Sequence, residues 1–339
     1  MDYQTQQYTF GRLLARGWTQ LLCSRYCTEQ FRQMMDEVKK GVFSRMDVTH
    51  HLLSGFKSLM TQDIMDDIDE ARRSCGGAGF QSNSGFTQLF TLASPMPTYE
   101  GDNTVMLGQA SRFLIKLVKK VSEGKRVPAP FSYLNNMQAT LTARNQARTV
   151  EDFLNIDVLD RALQARAVNL ISQTMAEYNA SDAPSKVKDN ELFYTAKIQM
   201  TRAHFTYLQF HLFRTHFETH SFADARIPKL LTLIGKIHAL VQLLSDGVAV
   251  FDTGFLAPGS LGSMNKALDT CIKELRSQYV PLSETLYQPD HMVPSSIGNE
   301  FGDIYECQLE TAMQTRLNID NEVPHYFDKI MKPILRAKL

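Results

Sequence analysis

The chain has few cysteines for its length, five in 339 residues: Cys23, Cys27, Cys75, Cys271 and Cys307. Their spacing builds neither a disulfide framework nor a zinc site, which points to a reducing, intracellular setting. Cys23 and Cys27 stand one helical turn apart with no second pair, and read as one face of a helix. Net charge is also missing. Lys+Arg and Asp+Glu both number 36, so no overall charge attracts nucleic acid or an anionic membrane. No apolar run reaches the roughly 18 residues of a membrane span. The opening MDYQTQQYTF has neither the basic flank nor the apolar core of a signal peptide. Strand-like alternation, internal repeats and low-complexity segments are lacking too.

What the sequence does have is helical periodicity. Residues 2–40 carry Tyr8, Leu14, Trp18, Leu21, Leu22, Phe31, Met34, Met35 and Val38 at helical spacing, ended by Gly41. Asp47 reads as the cap of a second helix with Val48, Leu52, Phe56, Leu59, Met60, Ile64 and Ile68 on one face. That helix closes on Arg72-Arg73, cations suited to the negative end of its dipole. A third is expected over Asn103–Ser122, burying Val105, Met106, Phe113, Leu114 and Leu117. Residues 123–148, with two prolines and many polar side chains, read as a linker between a first helical domain (1–122) and a second (149–339). Further helices are expected from Asp157, over Val187–Phe222 and Pro228–Ser245, and at Met264–Tyr279, Phe301–Arg316 and Glu322–Leu335. The expectation is an all-α fold.

Several side chains invite a chemical reading that ordinary packing meets as well. His204, His211, His216 and His220 share one expected helix, and the last two could face a common metal. No accompanying HExxH-type partner exists, so they read as packing or surface residues and no metal is expected. Met34, Met35, Met60, Met65 and Met106 fill a core or line an apolar channel, with core the better reading.

The stretch from Cys75 to Lys116 differs from the rest. A helical pattern runs into Cys75-Gly76-Gly77-Ala78-Gly79-Phe80, and a loop with Pro95 and Pro97 follows. It leads to Tyr99-Glu100-Gly101-Asp102-Asn103-Thr104, where a helix resumes. Glycines permit a left-handed turn or the close approach of a ligand, and serve equally as a helix C-cap. A carboxylate just before a helix is favoured by the dipole and needs no catalytic role.

Together, CGGAGF, YEGDNTVML and RFLIK resemble the signature CGGHGY … FEGENTVM … ARFL of the peroxisomal acyl-CoA oxidases, in the flavin-dependent acyl-CoA dehydrogenase/oxidase superfamily. Asp2–Tyr8 (DYQTQQY) is similar to that family's first C-terminal helix. Ala337-Lys338-Leu339 sits where the family carries its peroxisomal signal, a tripeptide close to Ser-Lys-Leu. The resemblance implies an acyl-CoA dehydrogenase-like helical bundle followed by a second helical domain, in a homodimer. It also implies FAD, a fatty acyl-CoA substrate, O2 as oxidant and the import receptor of the peroxisome.

The implied reaction removes a proton from Cα and a hydride from Cβ of the thioester. The products are a trans-2-enoyl-CoA and, through FAD and O2, H2O2. So weak a carbon acid needs a carboxylate held against it in a dry site. The family's base maps onto Glu100. The same mapping gives Arg73, Gly76 and Gly77 to the FAD of a neighbouring subunit, and Gly101, Asn103 and Thr104 to FAD phosphate or ribose. Asp102 maps there too, but as an anion it suits a helix cap better.

Ala78 and Phe80 replace the family's His and Tyr, and Tyr99 and Asp102 its Phe and Glu. The larger departure is extent: Met1 falls where the family is already in its third domain, beyond an N-terminal helical domain and a β-domain. A fragment of an oxidase is therefore expected, or alternatively a shortened, non-catalytic paralogue that dimerises with a full-length oxidase.

Overall fold

A computed structural model describes residues 2–286, 288–293, 295–315 and 326–336, and none of these lies in a strand. The all-α expectation holds. Contacts divide the chain into two units, one of Met1–Asp67 with Ala93–Thr285, the other of Ile68–Leu92 with Leu286–Leu339. The family-like tail Ala337-Lys338-Leu339, and the expected helix boundaries at Arg316 and Glu322, lie outside the described residues.

The first unit is built on α1 (Gln4–Val38), most of α2 (Met46–Ser74), α4 (Asn103–Ser122), α5 (Ile156–Ala180), α6 (Tyr194–Thr219), α7 (Arg226–Ser245) and α8 (Leu261–Leu275). Central α6 packs on α1, α4, α5 and α7. It is therefore buried on every side, with Phe205, Phe210 and Phe213 at no exposure. The apolar helix α7 is long and hydrophobic enough to cross a membrane by composition alone, yet more than half of it is buried inside this unit.

Small residues decide how α1 packs. Its buried line is Gly11, Ala15, Thr19, Leu22, Cys23 and Cys27, whereas the expected Phe31 and Met35 are exposed. Short side chains let neighbouring helices approach closely, and the larger Leu14 and Trp18 flank that line, partly buried. Burial pushes the Cys23 thiol well up, and Cys27 adds to this, so this pair is core.

Three other expectations change. The second helix starts at Met46, so Asp47 lies inside its first turn and does not cap it. In α4 Val105 is exposed and Met106 and Phe113 are half-buried; the buried face is Leu107, Gly108, Ala110, Ser111, Leu114, Ile115 and Leu117. Of the methionines named above none is fully buried: Met35 is exposed, and Met60 packs against the core from its edge.

The expected linker at 123–148 is not where the contacts part. Val127, Phe131, Tyr133, Leu134 and Ala147 from this segment all sit in the first unit's core. Tyr133 completes a buried polar chain there. Its hydroxyl donates to His204 Nδ1 at 2.5 Å, His204 Nε2 meets His51 Nε2 at 3.1 Å, and His51 Nδ1 meets the Ala110 carbonyl at 3.0 Å. One proton arrangement satisfies every link: His204 donates from Nε2, and His51 donates from Nδ1 to the carbonyl. Burial keeps both imidazoles neutral, pushing His51 down to about 3 and His204 well below its ordinary value. Buried Arg166 is held in another way, by one end of its guanidinium. It donates to the carbonyls of Gln242 (2.8 Å) and Asp246 (3.1 Å), at the negative end of α7.

The second unit contains the last turns of α2, a single turn at Gly76–Phe80, α3 (Phe86–Ala93, its last residue grouped with the first unit) and α9 (Ile304–Met313). The loop expected over 80–99 therefore holds a two-turn helix. Within the unit, Ser295 Oγ donates to the Ser84 carbonyl at 2.6 Å and Ser296 N to the Asn83 carbonyl at 2.8 Å.

Candidate functional site

Glu100 ends a run of turns that the local sequence enforces. The backbone N–H groups of Thr98 and Tyr99 both donate to the Pro95 carbonyl, and Asn103 N–H donates to the Pro97 carbonyl at 2.9 Å. Reversing into α4 then takes two successive residues with positive φ, Glu100 at 55° and Gly101 at 104°. Among the described residues Glu100 is the one non-glycine in this state, a conformation that costs an L-residue roughly 1–2 kcal/mol. Gly101 has no alternative. Its φ lies beyond what a side chain tolerates, and a Cβ there would come within 2.6 Å of Met106 Sδ.

Asp102 caps α4, accepting from Thr104 N at 2.9 Å and Val105 N at 3.4 Å. The first three amides of the helix are thus all engaged within the chain. The idea of free N–H donors waiting here for a phosphate does not match this arrangement.

Sequence reasoning missed the residues that fasten this loop from α2. Lys57 Nζ donates to the Gly101 carbonyl at 2.6 Å and to Asn103 Oδ1 at 3.0 Å. Asn103 Nδ2 in turn donates to Thr61 Oγ1 at 3.0 Å. Burial lowers the Lys57 pKa, while the Asp102 and Glu100 carboxylates pull it back up. A signal was available, since Lys57 is the sole lysine of α2 and stands one turn before Thr61. Glu100 itself is exposed, and its carboxylate makes no hydrogen bond among the described residues. The backbone around it is held while the side chain stands at the surface.

The glycine turn, in the second unit, is built differently. Asp69 accepts from Arg72 at 2.8 Å and Arg73 at 3.0 Å, and the hydrogen bond from Arg72 holds its carboxyl below the usual range. Arg73 is 67% exposed. Gly76 has φ 58°, and a Cβ at Gly76 or Gly77 would meet nothing within 4 Å. The glycine with a packing reason is Gly79, where a Cβ would fall 2.2 Å from the Arg72 carbonyl oxygen.

The six residues mapped to a cofactor thus fall into two kinds. Arg73, Gly76, Gly77 and Thr104 are open to solvent, whereas Gly101 and Asn103 are engaged in holding the loop. Among the described residues no three His, Cys, Asp or Glu side chains converge as metal ligands. His216 and His220 lie ring to ring at 4.1 Å, with His220 Nδ1 against the His216 carbonyl at 2.9 Å.

Known proteins share this sequence and architecture. Residues 1–115 match the family model described as acyl-CoA oxidase, C-alpha1 domain, and residues 155–336 match that described as acyl-CoA oxidase. The chain is 27% identical to mouse peroxisomal acyl-coenzyme A oxidase 1 over its whole length, covering 51% of that protein. It is 27% identical to the Arabidopsis thaliana protein of the same name, covering 50%. The solved structure of Arabidopsis thaliana acyl-CoA oxidase 1 superposes with a TM-score of 0.92 at 26% identity, covering 100% of this chain and 51% of that one. That of acyl-CoA oxidase-1 from Caenorhabditis elegans, complexed with FAD and ATP, gives 0.86 at 23% identity, a likeness of fold, covering 99% of this chain and 50% of that one. The chain spans about half the length of the relatives it matches.

Proposed function

This chain belongs to the acyl-CoA oxidase family, and from that premise we propose that it supplies the general base of a peroxisomal, FAD-dependent fatty acyl-CoA oxidase. The observation that carries the reading is the Glu100 loop: a carboxylate in a left-handed backbone, fastened on both sides and, among the described residues, free of hydrogen bonds. Such a group is oriented without being neutralised, as a base for a carbon acid must be.

Glu100 takes the α-proton of the thioester as the Cβ–H bond breaks. When bound, FAD would supply the acceptor of that hydride and a route for the electron pair to O2. The balance is acyl-CoA plus O2 to trans-2-enoyl-CoA plus H2O2. In the second unit, Arg73 and the open backbone of Gly76 and Gly77 suit contact with a flavin's polar edge. Separately, the exposed Thr104 can touch a phosphate or ribose. Gly101 and Asn103 serve the loop. Around exposed Glu100, exclusion of water falls to the rest of the oxidase and to substrate, in keeping with a chain that spans half of its relatives' length. Homodimer formation and the import receptor for Ala337-Lys338-Leu339 complete the reading.

The test is Glu100→Gln in the FAD-loaded oxidase that contains this chain, followed by peroxide release from a long-chain acyl-CoA. Oxidation falls by at least about 10³-fold, roughly 4 kcal/mol of barrier, with flavin absorbance retained. Undiminished peroxide release would remove Glu100 from the reaction.

A further inference from the structure

The loop that presents Glu100 is held by one cation from another helix. Lys57 reaches across 44 residues of sequence to the Gly101 carbonyl and 46 to Asn103 Oδ1. Its two acceptors bracket Asp102, and the nearer one belongs to the residue directly after Glu100. Thr61, one turn further along α2, takes the remaining end of the Asn103 amide. The Thr61 hydroxyl donates to the Lys57 carbonyl at 2.8 Å and accepts from Asn103.

What Lys57 does not do is equally telling. A lysine beside a catalytic carboxylate would ordinarily pair with it, giving a bound, less basic group. Here the ammonium is directed at backbone and amide oxygens. A charge-assisted bond to a carbonyl is stronger than a neutral one, and this carbonyl belongs to Gly101, the second positive-φ residue of the turn, so the bond fixes the segment that directly follows Glu100. Without the tether, Glu100 has a local incentive to leave its left-handed state, because L-residues prefer negative φ.

We propose that Lys57 is a positioning residue for the acyl-CoA oxidation: by tethering the Gly101 carbonyl and Asn103 to α2 it holds the Glu100 carboxylate in its left-handed presentation. The proposal rests on Glu100 being the base, and adds to it which side chain places that base. Thr61 is the second anchor, acting through Asn103.

Hydrogen exchange of the chain itself tests the tether without any flavin. Lys57→Met keeps the length of the side chain and removes its donors. Amides of residues 98–105 are expected to exchange about tenfold faster or more, while those of 110–117 in the same helix stay within about twofold. In the FAD-loaded oxidase the same substitution lowers kcat about tenfold or more with KM within about twofold, as for lost orientation. Lys57→Arg, which keeps a charged donor, recovers most of both. Should Lys57→Met fail to fold, Asn103→Ser cuts the tether from the other side, and the same local loosening is expected. Unchanged exchange over 98–105 in a folded variant, or equal losses in Lys57→Met and Lys57→Arg, would overturn the proposal. Activity surviving Glu100→Gln would instead sink the assignment of the base, and leave the exchange result standing as a fact about the loop.

Discussion

Two halves of one sequence signature behave differently in the fold. The Glu100 loop, in the first unit, is fastened by a lysine, a threonine, a helix cap and a carbonyl–amide turn. The glycine turn, in the second unit, leaves Gly76 and Gly77 in open space and Arg73 at the surface. Adjacent motifs thus meet distinct demands. One holds the backbone that carries a carboxylate in place, whereas the other leaves a stretch of backbone bare. Read as letters, both turn on glycine and belong to one signature; their surroundings separate them.

The contrast can be broken most forcefully with acid, because the buried neutral histidines His51, His204 and His238 all lie in the first unit. Burial lowers each in the folded state, His51 and His238 to about 3, while in the unfolded chain they titrate near the ordinary value of about 6.5. The unfolded state therefore binds more protons below pH 6.5. Stability is whole above that pH and declines as pH falls toward 3, by about 1 kcal/mol per pH unit for each histidine. Urea denaturation between pH 7 and 4 measures this. Protection of first-unit amides that does not change with pH would contradict it.

Backbone substitutions sharpen the same comparison. Gly101→Ala meets both Met106 and a forbidden φ, and is expected to destabilise by about 2–3 kcal/mol. Gly77→Ala, helical and unobstructed, should be neutral or stabilising by up to about 1 kcal/mol, with any harm appearing as weaker flavin retention. Thermal melts of the two variants side by side decide whether one turn is fastened and the other open. Asp102→Ala gives a smaller effect, about 1 kcal/mol, from the loss of the α4 cap. Fraying of amides 103–105 by hydrogen exchange is its signature.

Much of the fold was legible in the residues. The bounds of α4, Asn103–Ser122, follow from local spacing, and Asp102 reads as a cap because Asp suits that position and phosphate repels it. Less legible were the faces. α1 buries its small residues and exposes Phe31, a choice set by how closely other helices approach. The segment 123–148 looked like a linker because prolines and polar residues dominate it, yet its few aromatic and aliphatic side chains insert into the core.

The sequence by itself determined that this chain is helical, that Glu100 stands in a turn just before a helix, and that its signature matches the acyl-CoA oxidases. All are set by near neighbours or by a pattern of letters. Tertiary structure alone decided which side chains surround that carboxylate. Lys57 stands 44 positions before its acceptor Gly101 and Tyr133 stands 71 before His204. No local preference ties either pair together; the packing of α2 and α6 around α4 brings them within bonding reach, and there a single hydrogen bond fixes what sequence spacing leaves open.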